Sequence, residues 1–252
     1  MQQRISDFFS RNRKLIPLMS TALLALVAYA IGAYLFAGMR NPQVFFNLFR
    51  NSSYLLISGI GMTFVILTGG IDLSVSGVVA LTTVASAVLL REGWNAWAVI
   101  LLMLAMGMSL GAIMGTFIVR LKVQPFIATL AGMWFARGMC FFISDNAVQI
   151  DNRIFKILGK TKLLIPGLTE ISVSQGDAAP YIDIPVVVAF LLLIVAVYIA
   201  QYTRFGRTVY AIGGNEGRNE QSARLMGLPV DRTKLLLYTF NGFCSALSGL
   251  PF

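Results

Sequence analysis

The sequence predicts an all-α fold, a polytopic bundle of transmembrane helices, and three observations predict it. Hydrophobic residues make up 57% of the chain and charged residues only 12%, at a mean hydropathy of +0.75, well outside the range of water-soluble domains. The apolar residues gather into runs of roughly 20, the length that crosses a hydrocarbon core about 30 Å thick. Lysine and arginine flank those runs instead of forming a patch interleaved with aromatics. The net charge of +9 therefore reads as membrane anchoring and not as nucleic-acid binding.

Taken in order, the first span is 15–36, preceded by Arg4, Arg11, Arg13 and Lys14. A secretory signal has an apolar stretch of only about 7 to 15 residues, so this longer run reads as an uncleaved first helix. Ile5, Phe8 and Phe9 ahead of it fit either a membrane-surface segment or a solvated tail. Two short spans follow, 53–68 and 73–90, separated by Gly69-Gly70-Ile71-Asp72, where paired glycines and a carboxyl group interrupt an otherwise continuous apolar stretch. Spans 96–119 and 125–143 come next. The segment 144–183, with Pro166, Gly167, Gly176 and Pro180, is too polar to span and reads as an external loop, either a surface for a partner or an inert cap. Span 184–200 leads to a polar segment, 204–234, and then to a last apolar run, 235–252. That run has no closing basic or aromatic flank, which predicts a single transmembrane domain over 1–252 truncated at its C-terminus.

Orientation follows from the basic residues. A cytoplasmic N-terminus places Arg4, Arg11, Arg13, Lys14, Arg120, Lys122, Arg204, Arg207, Arg218, Arg224, Arg232 and Lys234 inside. The basic residues left outside are nearly balanced by Asp145, Asp151, Glu170, Asp177 and Asp183.

Several chemistries are excluded or unsupported. With no histidine, a Ser-His-Asp triad, a histidine general base and the usual zinc sites are unavailable, and no metal site is expected. Cys140 and Cys244 both sit in apolar runs, where a thiol is ordinarily a small hydrophobe. Gly159-Lys160-Thr161 fails as a phosphate-binding loop because Ile154 stands where the first glycine belongs. No catalytic residue is expected.

Two stretches carry information. A helix broken at Gly69, Gly70, Asp72 and Ser74 frees backbone groups that protein or a watery cavity must satisfy, and such breaks often line transport paths. Two readings stay open there: Asp72 and Ser74 face a substrate path, or Asp72 caps the following helix at the cytoplasmic surface. Arg137, inside an apolar run, either snorkels outward or faces an internal cavity. The second stretch is 204–234, which encodes a short helix: Asn219 suits the N-cap, Glu220 the positive end, Gly227 the left-handed position after the last turn, and Pro229 forbids continuation. Such a helix, presenting Ala223, Leu225 and Met226, fits a groove on a partner, although a solvated loop is also compatible.

Three strings in order, GMTFVILTGGIDLSV from Gly61, VQPFIATLAGMWFARG from Val123, and TRFGRTVYAIGGN with SARLMG, resemble the ribose/galactofuranose-type permeases of bacterial ABC sugar importers. The second string and the TRFG segment look closest to a galactofuranose importer permease. The resemblance implies a helical permease in the bacterial inner membrane that carries a pentose or hexose inward by alternating access. It implies pairing with a second permease subunit, alike or homologous, two cytoplasmic ATPase subunits and a periplasmic sugar-binding protein. ATP would be bound by the partner chain, with no cofactor on this one. The short helix (Asn219, Glu220, Ala223, Arg224, Leu225, Met226, Gly227) becomes the element that docks on the ATPase. Two departures stand out: Ser76 precedes Gly77 where such permeases usually carry glycine then serine, and Gly217-Arg218-Asn219-Glu220 looks like a duplication of Gly213-Gly214-Asn215-Glu216. A stand-alone secondary transporter or channel, and a nonfunctional permease fragment, are the alternatives.

Overall fold

A computed structural model describes residues 16–144, 146, 154, 155, 157, 161–164, 181–213 and 219–250. The helices are α1 (Ile16–Leu35), a 3-10 turn (Ala37–Arg40), α2 (Pro42–Leu67), α3 (Val75–Arg91), α4 (Ala96–Val119), α5 (Pro125–Ile143), α6 (Ile184–Tyr202), α7 (Arg204–Gly213), α8 (Asn219–Leu225) and α9 (Val230–Gly249). Two three-residue strands, β1 (Lys162–Leu164) and β2 (Tyr181–Asp183), pair with each other. The fold class is all-α as the composition predicts. Among the described residues four helices, α1, α4, α5 and α6, are long and apolar enough to cross a membrane.

Two compact units are present. The first comprises Met1–Leu48 and Leu164–Tyr181. Within it the Tyr29 hydroxyl donates to the Met39 carbonyl at 3.2 Å, and its ring meets Phe45 edge-on at 5.8 Å. The second unit comprises Phe49–Leu163 and Ile182–Phe252 and holds the helical bundle around α9.

Two predicted starts are corrected. The second helix begins at Pro42 and not at 53, because the Asn41 side-chain oxygen accepts the Gln43 N–H at 2.8 Å and Pro42 occupies the first helical position with its φ already fixed. Gln43, Asn47, Arg50 and Asn51 make this stretch too polar to register as a span. The last helix likewise starts at Val230 and not at 235, carrying Asp231, Arg232 and Lys234 in its first two turns. The segment 204–234 also contains a helix that the sequence reading did not draw, α7, which buries Thr208, Val209 and Ile212 on one face.

Helix α9 makes its most extensive contact with α4. Gly107, Gly111 and Gly115 recur at every fourth position, so they share one face of α4. A Cβ on Gly111 would lie 3.0 Å from the Tyr238 carbonyl carbon and 3.1 Å from the Thr239 Cα, and one on Gly242 would strike the Gly107 backbone. The two helices therefore touch backbone to backbone, as small-residue stripes allow in lipid, where apolar side chains gain little by leaving the hydrocarbon. Outside the bundle the surface is apolar: Leu101, Phe141, Phe142 and Ile194 are exposed on α4, α5 and α6.

Gly111→Val is expected to cost about 3 kcal/mol or more by overpacking, read as a fall in melting temperature or loss of monodisperse protein in detergent. Gly138→Val, at a position where an added Cβ meets nothing within 4 Å, is expected to leave both unchanged.

Candidate functional site

Helices α2 and α3 are separated by an irregular segment, 68–74, of which Asp72 and Ser74 are each 2% exposed. Gly69 takes φ +73, a conformation that costs glycine nothing and turns the chain at the end of α2. Gly70 leaves room that a Cβ would fill, 2.9 Å from the Tyr238 hydroxyl and 3.1 Å from a Val65 methyl. Asp72 accepts three hydrogen bonds. The Ser74 N–H and hydroxyl donate to Oδ1 at 2.8 and 2.6 Å, and the Asn241 amide donates to Oδ2 at 2.7 Å. The Tyr238 hydroxyl donates to the Ile71 carbonyl at 3.4 Å.

This arrangement ties the break to α9. Asn241 lies about 16 Å along α9 from Val230 at the usual helical rise, so the break reaches well into the bundle. The surface-cap reading of Asp72 is corrected accordingly: Asp72 does hold the start of α3 through Ser74, but it does so buried against α9. Asn241 and Tyr238 were missed in the sequence. The only available signal was their polarity inside the apolar run 235–252. Among the described residues, the buried Asn241 Oδ1 has no hydrogen-bond partner.

Arg137 takes no part in this clasp. It is exposed on α5, its guanidinium 6.0 Å from the centre of the Trp134 ring, and it lines an open recess with Ala80, Gly138 and Phe141.

The polar segment is ordered by a different mechanism. Gly227 takes φ +74, the Leu228 N–H donates to the Ala223 carbonyl at 3.0 Å and the Gly227 N–H donates to the Arg224 carbonyl at 3.0 Å. That pair of bonds is a Schellman end, and its usual apolar contact is present, since Leu228 packs with Ala223, Ile212 and Val230. Ala223 is therefore buried, not presented outward as the sequence reading expected. Leu225 and Met226 do project, at 89% and 67% exposure. Asn219 is the first helical residue; its side chain and residues 214–218, which make up most of the apparent duplication, lie outside the described residues.

Charge fixes α8 to α9. Glu220 pairs with Arg224 at 3.1 Å and with Lys234, Arg224 reaches Asp231, and Lys122 lies 4.0 Å from Asp231. Burial alone would push the Glu220 carboxyl up, but the hydrogen bonds and charges of Lys234 and Arg224 hold it below its ordinary value. Asp231, before the apolar part of α9, is lowered chiefly by its bond from Arg224. Among the described residues no group of three or more His, Cys, Asp or Glu side chains is placed to hold a metal ion.

Residues 44–252 match the family described as branched-chain amino acid transport system / permease component. Among curated relatives, the inner membrane ABC transporter permease protein YjfF of Escherichia coli K12 is 35% identical over 94% of this chain and 67% of its own length. The fructose import permease protein FruG of Bifidobacterium longum is 32% identical over 97% of this chain and 69% of its own. The ribose import permease protein RbsC of Haemophilus influenzae is 33% identical over 98% and 70%. No solved structure matches the chain significantly.

Two outcomes are expected of these contacts. Asn241→Ala and Asp72→Ala should each destabilise the chain by about 2 kcal/mol, with a coupling of at least ~1 kcal/mol in the double-mutant cycle, because each leaves the other buried and unpaired. In unfolding measurements, additive effects would show that the two side chains do not act together. The carboxyls of Glu220 and Asp231 are lowered in the folded chain, so their contribution is complete above their ordinary values and is lost as pH falls through the lowered ones. Protection factors for amide exchange at 219–234, each taken against the intrinsic rate at the same pH, should thus be high at neutral pH and fall selectively below the ordinary glutamate value of 4.5.

Proposed function

The chain belongs to the branched-chain amino acid transport system / permease component family, and from that premise we propose that it is the membrane-spanning permease subunit of an ATP-driven importer for a monosaccharide. As a member of that family it is a transport subunit and not an enzyme. The pentose or hexose class rests on the ribose and fructose permeases it is similar to. In this reading a second permease subunit completes the path, two ATPase subunits bind and hydrolyse ATP on the cytoplasmic side, and a periplasmic protein delivers the sugar. The inner membrane is its site, with the N-terminus in the cytoplasm.

The observation that carries the reading is the tip of α8. Leu225 and Met226 are two adjacent large apolar side chains exposed at the C-terminal end of a seven-residue helix, in a polar segment between two apolar runs. Exposing both to water is unfavourable, and the segment that presents them is not loose: a Schellman end packs it on Ile212 of α7 and Val230 of α9, and the Arg224–Asp231 and Glu220–Lys234 ion pairs join it to α9. A rigid helix with an uncovered apolar tip fits insertion into a groove of another protein. Motion of that partner would then be passed through α8 to α9, and the access to the path would alternate. Gly69, Gly70, Asp72 and Ser74 contribute the broken segment between α2 and α3 that such movement would act upon, while Arg137 remains a candidate for the path on a separate face.

Leu225→Asp or Met226→Asp is expected to abolish co-purification of the chain with its ATPase subunit in detergent, because a carboxylate would be left unpaired in an apolar groove. Leu101→Asn, on the exposed side of α4, should leave it intact. Association unchanged by both tip substitutions would remove the docking role from α8. Sugar uptake without any ATPase would replace the importer by a stand-alone transporter.

A further inference from the structure

A cavity of about 410 Å³ opens among α2, α3, the start of α6 and the end of α9, within the size range of small-ligand sites. Its polar lining is Arg50, Asn51, Ser53, Tyr54, Thr83 and Ser248. Three of these are hydroxyls whose protons are already committed to backbone carbonyls: Ser53 donates to Arg50 at 2.8 Å, Thr83 to Gly249 at 2.8 Å, and Ser248 to Ser245 at 2.9 Å. They therefore offer the cavity oxygen lone pairs, in fixed positions. The Asn51 amide and the Tyr54 hydroxyl, by contrast, make no hydrogen bond to any described residue, and both can donate. The lining thus combines held acceptors with free donors.

Charge narrows the ligand further. Arg50 is the one charged side chain in the lining, and its Nε lies 3.1 Å from an oxygen of Asp183, a carboxyl that is itself buried. The pair cancels, so the cavity has no net charge to attract an anion or a cation. An uncharged molecule with several hydroxyls, each able to donate and accept, is what such a lining satisfies, and the Tyr54 ring adds an apolar face for its C–H edge. Ser248 lies about 27 Å along α9 from Val230, so the cavity is at the end of α9 remote from α8. The Asp72–Asn241 clasp lies between the two.

We propose that this cavity is a binding site for a neutral monosaccharide on its way through the permease, with Asn51, Tyr54, Thr83 and Ser248 as its hydrogen-bonding groups. The proposal rests on the reading of the chain as a sugar permease and names a place within it that is distinct from the broken segment at 69–74 and from Arg137.

The test is thiol protection in proteoliposomes holding the complete assembly. Val79→Cys, in the cavity lining but not one of its hydrogen-bonding groups, on a Cys140→Ala background is reacted with a charged methanethiosulfonate, the background alone serving as blank. D-ribose, D-fructose and D-galactose are added in a concentration series, with D-gluconate as the charged counterpart. At least one neutral sugar is expected to slow modification threefold or more and gluconate to have no effect. Asn51→Ala and Tyr54→Phe, added singly, should each abolish that protection while leaving the unprotected rate within twofold. A thiol that does not react, one that no neutral sugar protects, or one that gluconate protects equally would overturn the proposal. Uptake of a sugar without protection would remove this cavity and leave the importer reading standing, whereas protection without ATP-dependent uptake would keep the cavity and remove the importer.

Discussion

The structure depends on one constraint: inside a bilayer no water is available to satisfy the backbone where a helix stops, so an interrupted helix needs partners from the protein itself. Segment 68–74 meets that constraint through α9. Asp72 gathers the Ser74 N–H and hydroxyl on one oxygen and the Asn241 amide on the other, and Tyr238 reaches the Ile71 carbonyl. The clasp can form only because the backbones come close. Gly61 faces Asn241 where a Cβ would stand 2.5 Å from its side-chain oxygen, and Gly70 leaves space beside Tyr238. Polar side chains and glycines are thus two halves of one solution.

The same logic, with water present, gives a different answer at α8. A seven-residue helix is too short to be stable alone. Its ends and flanks are therefore fixed from outside: by the left-handed Gly227, by the apolar contact of Ala223 with Ile212 and Val230, and by the ion pairs among Glu220, Arg224, Asp231 and Lys234. Exposed ion pairs contribute little singly, but a linked set that joins two helices restricts their relative movement more than any one pair would. What remains uncovered is the Leu225–Met226 tip.

Much of this was legible in the sequence, and the reasons for what was not are physical. Hydropathy found α1, α4, α5 and α6 to within a residue or two because their composition is apolar on all sides. It clipped α2 and α9, whose first turns carry Gln43, Asn47, Asp231 and Lys234, because a sliding apolar count registers burial in lipid and not helicity. Gly227 was readable since few residues tolerate its φ, and the glycine pair at 69–70 marked the break. Asn241 and Tyr238 were not readable as partners of Asp72 and Ile71, because contacts across 169 and 167 positions leave no trace in local pattern. Ala223 was misplaced outward for the same reason: one methyl fits either face until the fold of α7 and the Schellman turn decide it.

Helix α9 unites the features that matter. Asp231 and Lys234 at its first turns take the ion pairs of α8, Tyr238 and Asn241 take the hydrogen bonds of the broken segment, and Ser248 near its end lines the cavity. The helix is continuous from Val230 to Gly249, with no proline inside it, and its contact with α4 is backbone on backbone, which leaves little room for it to bend. A displacement of α8 that leaves its ion pairs with Asp231 and Lys234 intact would therefore be carried along α9. It must shift the far end of α9, or break the Asp72–Asn241 bond that lies between. On the proposed reading, either response would change the boundary between the cavity and the interior of the bundle, and so link the docking end of α9 to the proposed sugar site.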